Sequence, residues 1–243
     1  MRRLLLVPDT HRPYHDERAW QTMLKAARHF KPNVAIVLGD FADFYQISAH
    51  DKDPGRKESY DDEIEDVNRG LDELEAATPI AERYFIAGNH EYRLERYLRT
   101  NAPQLHSRIR IEKELRLEER GWHYTPYQES LRVGKLYLTH DEGNAGATAH
   151  EKARASFESC VAIGHTHRMA ISYRGTAKGS SNFGAMFGWL GSVDKIDYTH
   201  RVKAQQWQHG FGIGYLLKSG VVHVQAVPIV NGTCVIEGKL VRG

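Results

Sequence analysis

The chain has 243 residues, 41% of them hydrophobic and 26% charged, with a formal net charge of +2. That is enough apolar material for one large globular domain spanning residues 1–243 with a substantial core. The near-neutral balance excludes a globally basic nucleic-acid binder, although local patches can still be biased, and no apolar run reaches membrane length.

The opening MRRLLLVPDTH has the basic start of a secretion signal, but its apolar run 4–7 stops at Pro8 and Asp9, so a cytoplasmic protein without membrane contact is expected. Cys160 and Cys234, far apart and in apolar strand-like contexts, fit reduced core thiols. Five short apolar runs each end in a polar cluster: LLLVPDTH at 4–11, VAIVLGD at 34–40, RYFIAGNH at 83–90, KLYLTHDEG at 135–143 and CVAIGHTH at 160–167. Each reads as a buried strand. Between them, Trp20, Met23, Leu24 and Ala27 share one helical face behind an Asp16 cap, and Ile64, Val67, Leu71 and Leu74 share another. Alternating β and α elements place ligands beyond the carboxyl ends of the strands, so the five clusters should converge.

Residues 51–75 carry eleven Asp or Glu, expected to be the solvated back of the second helix. After GNHE the bias reverses. Arg93, Arg96 and Arg99 are spaced as one stripe beside Leu94 and Leu98, with Glu91 and Glu95 neutralising part of it. Arg108, Arg110, Lys113, Arg116 and Arg120 extend the basic bias. The glycine-rich 175–191 segment holds Phe183, Phe187 and Trp189 and reads as a mobile loop with aromatic contacts. From 211 onward the pattern alternates as strands around the turns KSG and NGT.

The strand ends offer Asp9 and His11, Asp40, Asn89 and His90, His140, then His165 and His167. Carboxylates suit harder divalent ions, imidazoles suit zinc, iron and manganese, and the lack of thiolates argues against a purely structural zinc cage. One ion takes about four to six ligands, so a set of candidates this large suggests two ions sharing a carboxylate. Two cations would also offset the crowding of Asp40 beside Asp43 at one strand end. Taken singly, each histidine would more often be an ordinary hydrogen-bonded group; the joint placement is what favours a site. His50 and His150 are candidates for its rim, and the other histidines read as ordinary.

These residues resemble the calcineurin-like metallophosphoesterase family, whose D-x-H, GD, GNH(E/D), H and GHxH motifs stand here, in order, as DTH, GD, GNHE, H and GHTH across residues 9–167. The resemblance implies an α/β fold, a β-sandwich of mixed sheets flanked by helices. It implies Asp9, His11 and His167 on one metal, Asn89, His140 and His165 on the other, Asp40 bridging, and His90 facing the substrate. Two divalent ions are expected, manganese first, with iron, zinc, nickel or cobalt as alternatives. A water or hydroxide between them would attack a phosphoester, His90 would protonate the leaving oxygen, and Asp43 would hold His90 Nδ1. The related protein phosphatases have GDxxDRG where this chain has GDFAD followed by Phe44 and Tyr45, which weighs against phosphoprotein hydrolysis. A phosphodiesterase or nuclease is therefore expected, with DNA or a nucleotide as substrate. The alternatives are a phosphomonoesterase or protein phosphatase, or a scaffold that uses the fold to bind a partner.

Overall fold

Each of the five apolar runs contributes side chains to two different cores, one on either face of its sheet. The computed structural model describes residues 1–49, 51–79, 81–175, 177, 179–195 and 205–243. Its elements run β1 (Arg2–Val7), α1 (Glu17–Phe30), β2 (Val34–Val37), α2 (Tyr60–Ala77), β3 (Glu82–Ile86), α3 (Glu91–Asn101), α4 (Ile111–Glu114), β4 (Trp122–Thr125), β5 (Leu131–Val133), β6 (Leu136–Thr139), α5 (Ala149–Phe157), β7 (Cys160–Ile163), β8 (Met169–Gly175), β9 (Ser181–Phe187), β10 (Gly210–Leu216), β11 (Val222–Pro228), β12 (Thr233–Ile236) and β13 (Lys239–Arg242). One sheet has the order β11-β10-β1-β2-β3-β4, a second has β5-β6-β7-β9-β8, and β12 pairs with β13. Both large sheets are mixed: β1, β2, β3 and β4 run parallel while β10 is antiparallel to β1. In the second sheet β6, β7 and β9 run parallel, with β5 and β8 antiparallel at the edges.

The two cores follow from the two-residue period of a strand. Leu4 and Leu6 of β1, with Val34 and Ile36 of β2, face the second sheet and meet Leu136, Leu138, Ala162 and Ala185. Leu5 and Val7, with Val37 and Phe85, turn the other way onto Trp20, Met23 and Phe30 of α1 and Val67, Leu71 and Leu74 of α2. On the far side of the sandwich, Ala149 and Ala153 of α5 cover Val161, Ile163 and Met186. The expected sandwich of mixed sheets flanked by helices is the architecture observed.

The helix caps sit where the sequence places them. Asp16 accepts from Ala19 N at 2.7 Å, and Ser59 and Asp62 form a capping box on α2. Among the described residues, no helix is long and apolar enough to cross a membrane. Both cysteines are free.

Two sequence expectations need correction. The 175–191 segment is not a mobile loop: β8 and β9 pair in register from Met169 opposite Phe187 to Gly175 opposite Ser181, and Phe183, Phe187 and Trp189 are buried. Gly184, Gly188 and Gly191 are there for packing, whereas a Cβ on Gly175 or Gly179 would meet nothing within 4 Å. A Cβ on Gly184 would lie 2.0 Å from the His150 carbonyl oxygen, so only glycine lets β9 approach α5. Thr176 and Lys178 lie outside the described residues. Nor is the acidic stretch uniformly solvated: Glu63 and Asp66 are buried. Glu63 accepts from the Phe44 N–H, and Asp66 accepts from Arg12 Nε at 2.9 Å. Both carboxylates thus tie α2 to the loops that follow β1 and β2.

Candidate metal centre

The loops after β1, β2, β3, β6 and β7 meet at one edge of the sandwich, so both sheets contribute to one cluster. The approach is close enough to require glycine at two places. A Cβ on Gly39, whose φ is +92°, would lie 2.4 Å from His140 Nδ1, and a Cβ on Gly88 would lie 2.2 Å from Asp40 Oδ1. His11, Asp40, His165 and His167 all have left-handed backbones, with φ of 54°, 48°, 64° and 56°. Such conformations cost energy for residues other than glycine and persist where surrounding structure enforces them, commonly at functional sites.

Three groups of side chains bring ligand-type atoms within 4.8 Å of one another: Asp9, His11 and His167; His11, Asp40 and His90; and Asp40, His140 and His165. Asn89 completes the third group, its Oδ1 lying 3.0 Å from His140 Nε2 and 2.9 Å from His165 Nδ1. Asp40 is thus the carboxylate at the centre, 3.2 Å from His140 Nε2 and 3.8 Å from His90 Nε2. His90 joins His11 and Asp40 in one of these groups, its ring 4.5 Å from that of His11. Among the described residues, His150 joins none of these groups, and His50 lies outside the described residues.

The donors fit divalent cations, because several of them have no other use. Asp9 Oδ2 and His167 Nδ1 are buried with no hydrogen-bond partner, an arrangement that costs free energy without a compensating group. His11 Nε2 faces His167 Nε2 at 3.0 Å, a contact that lets at most one of the two carry a proton. The other nitrogens are held from behind, as is usual for metal ligands. His11 Nδ1 is 3.1 Å from Asp43 Oδ2, and His140 Nδ1 donates to the Leu38 carbonyl at 2.8 Å.

The electrostatics describe the same crowding. Burial, with the charge of Asp40, pushes Asp9 up to about 7. Burial also pushes His11 and His167 down, reinforced by their neighbouring imidazoles, and so favours neutral rings with a lone pair to offer. Burial lowers His165 too, with His140 adding to the effect. Asp40 and His140 form a pair that overrides burial. The charges of His140 and His90 hold Asp40 well below the usual carboxylate range, while Asp40 raises His140 to about 10. His90 is likewise raised against its burial by Asp40 and Asp43.

A sequence profile of the calcineurin-like phosphoesterases matches residues 2–169, from β1 to the first residue of β8. The chain belongs to the calcineurin-like phosphoesterase family. Three solved structures show similarity. Vps29 of Entamoeba histolytica is 10% identical, with 98% of this chain and 95% of that chain covered and a TM-score of 0.47. Vacuolar Protein Sorting 29 of Cryptosporidium parvum is 14% identical, with 98% and 94% covered and a TM-score of 0.47. Yfce, a phosphoesterase from E. coli, is 15% identical, with 92% of each chain covered and a TM-score of 0.43. No curated protein matches the chain.

Within this calcineurin-like framework, several side chains do what the sequence did not suggest. Asp43 does not serve His90 alone. Its Oδ2 is 3.4 Å from His90 Nδ1 and closer, at 3.1 Å, to His11 Nδ1, while His90 Nδ1 donates to the Asp43 carbonyl at 2.9 Å. The three arginines do not form one stripe. Successive steps of three residues rotate by 300°, so the row turns by about 60° at each step. Arg93 folds back to donate from Nη1 to the Asp43 carbonyl at 2.8 Å, with Nη2 at 2.9 Å from His90 Nε2. Arg99 pairs with Glu95, leaving Arg96 on a face between them. Trp189 stacks on His167 with centroids 4.8 Å apart and planes 14° apart, and Trp207 meets that ring edge-on at 4.2 Å. A tryptophan inside a glycine-rich stretch was the available signal for that wall.

Glu91 is the clearest omission, since it reads as a surface charge and is buried. It accepts the N–H groups of Asp40 at 2.9 Å, Ala42 at 2.8 Å and Gly88 at 2.7 Å. One carboxylate thereby locks the loop after β2 to the loop after β3. Glu91→Ala would strand three buried donors, each worth about 1–3 kcal/mol. The expected loss in denaturant unfolding of the metal-free protein is about 3 kcal/mol or more, with Glu91→Gln intermediate. A loss below about 1 kcal/mol would remove the brace from this account.

Proposed function

We propose that the protein is a dinuclear metal-dependent phosphodiesterase or nuclease. The observation that carries the reading is Asp40, buried and shared by the group with His11 and His90 and the group with His140 and His165, while the unpartnered Asp9 Oδ2 and His167 Nδ1 belong to a third group that shares His11 with the first. Asp9, His11 and His167 would hold one ion, Asn89, His140 and His165 the other, and Asp40 both. Manganese is the first expectation, given mixed oxygen and imidazole donors without thiolate. When bound, such ions make water nucleophilic near neutral pH and stabilise the charge that develops on phosphoryl oxygens.

The chain's own residues supply the rest. His90 stands beside Asp40, is favoured as the imidazolium by Asp40 and Asp43, and donates from Nε2 to the departing oxygen, which takes the place of the Arg93 Nη2 contact at 2.9 Å. Asp43 and its carbonyl fix that ring through Nδ1, and Arg93 closes the outer side. Tryptophans 189 and 207 keep the His167 side apolar and limit the access of bulk water. Diesters are favoured over monoesters by the residues after Asp43. Phe44 is buried against Tyr60, with rings 6.1 Å apart, and Tyr45 is buried too, so neither position offers the arginine that the protein phosphatases carry after this aspartate. The reading takes the whole chain as one domain, supported by β10 and β11 completing the sheet that β1 begins.

The test is a substrate panel with added manganese: bis(4-nitrophenyl) phosphate, 4-nitrophenyl phosphate, a cyclic nucleotide, single-stranded and duplex DNA, and a phosphoserine peptide. Diesters are expected to turn over faster than the monoester and the peptide. Faster monoester turnover would overturn the diester assignment, and no turnover of any substrate would favour the scaffold alternative.

A further inference from the structure

On the flank of α3 that carries Arg93, a cavity of about 430 Å³ opens between the helix and the turn after Phe44. Its charged lining residues, among those described, are Arg93 and Arg96, and Gln46, Ser48, Thr100 and Asn101 add polar side chains. A third cation stands behind the wall. Lys52 Nζ donates to Ser48 Oγ at 2.7 Å and to the Ser48 carbonyl at 2.8 Å, which leaves the Ser48 O–H able to donate in turn. Arg93 is itself paired with Asp43, whose Oδ1 lies 3.4 Å from its Nη1, so it is Arg96 and the ammonium-backed hydroxyl, with no carboxylate among the described lining residues, that form an environment for an anion. Planar guanidinium groups favour phosphate in particular.

The cavity on the opposite flank of α3 makes the contrast. It is smaller, about 320 Å³, and its arginines are already matched, Arg99 with Glu95 and Arg110 with Glu112. It offers no comparable excess of positive charge. The basic cavity also reaches the centre directly, because Arg93 touches both the Asp43 carbonyl and His90 Nε2. In the reaction proposed above, His90 marks the side on which the alcohol departs. An anion in this cavity therefore belongs to the departing group.

We infer that the cavity is a subsite for a second phosphate carried by the leaving group, so that the preferred substrates release a phosphorylated alcohol or a phosphoanhydride partner. This rests on the phosphoesterase reading. The second phosphate makes and breaks no bond. Water oxygen joins the reacting phosphorus, the bond to the departing oxygen breaks, and an alkoxide departing takes its proton from His90. The shared chemistry has two sources, the next phosphate along a nucleic acid or the pyrophosphate of a nucleoside triphosphate.

Three substrates separate them: thymidine 5′-(4-nitrophenyl phosphate), a thymidine dinucleotide with a terminal phosphate on the departing nucleoside, and thymidine triphosphate cleaved to pyrophosphate. kcat/KM is measured for the parent, Arg96→Gln and Ser48→Ala, with thermal unfolding as the control for folding. Each variant is expected to lose about tenfold or more on a phosphorylated leaving group relative to its loss on the nitrophenyl ester, the scale of a charge-assisted hydrogen bond. A selective loss on the dinucleotide alone assigns the subsite to nucleic acid, and on the triphosphate alone to phosphoanhydrides. Uniform losses on all three substrates would overturn the subsite while leaving the phosphoesterase reading intact. A parent that cleaves none of the three would overturn the subsite, and one that also leaves every substrate of the wider panel intact would overturn the phosphoesterase reading with it.

Discussion

Asp40→Asn is expected to abolish turnover and strip the protein of most of its metal. The substitution keeps the size of the side chain and one oxygen while removing the charge, so it tests the carboxylate itself. Asp40 Oδ1 accepts from the His90 N–H at 2.9 Å, and Oδ2 lies 3.2 Å from His140 Nε2. An amide in its place can still accept one bond but cannot bridge two cations, and the imidazoles gathered around it lose their counter-charge. The activity loss should exceed the 10- to 100-fold that outer partners of metal ligands typically cost. Elemental analysis of gently purified protein should fall from up to two divalent ions to less than one. Two retained ions with full turnover would remove the dinuclear assignment.

His90→Asn is expected to sort substrates by their leaving groups. Nitrophenolate departs without protonation, whereas an alkoxide needs a proton, so the variant should lose about 10²- to 10⁴-fold more on an alkyl diester than on a nitrophenyl diester. Asp43→Asn should follow the same order with a smaller loss of about 10- to 100-fold. Because Asp43 Oδ2 is nearer to His11 Nδ1 than to His90 Nδ1, this variant should also weaken metal retention on the Asp9, His11 and His167 side. The combined readout makes Asp43 a positioning residue for both rings. Equal losses on both leaving groups with unchanged metal content would leave it a structural role only.

How much of this was legible in the sequence depends on the range of the interaction. A strand buried on both faces writes an unbroken apolar run, because each side chain finds a core whichever way it points. The five runs were therefore visible, and so were the polar clusters that terminate them. The cap at Asp16 and the faces of α1 and α2 were visible for the same reason, since both depend on neighbours within two turns. Motif order then located Asp9, His11, Asp40, Asn89, His90, His140, His165 and His167 at the strand ends, and the fold brings those ends to one edge.

Direction across space was not legible. Glu91 and Glu95 are both acidic residues on one short helix, yet Glu91 turns inward to three loop N–H groups and Glu95 pairs with Arg99 at the surface. No local pattern separates them, because the donors that capture Glu91 come from residues as far as 51 positions away. The same holds for Arg93, Arg96 and Arg99, whose common spacing suggested a common partner. Helical rotation instead sends one to His90, one to a cavity and one to a carboxylate. The glycine-rich segment read as a loop because glycine usually signals freedom, but at β9 it signals the close approach of α5, and only the packed structure could tell the two apart. The sequence by itself determined which residues of metal-ligand type stand at which strand ends. The tertiary structure decided which groups orient them, and where a basic cavity opens beside the centre, because those outcomes depend on contacts between segments that are distant in the chain.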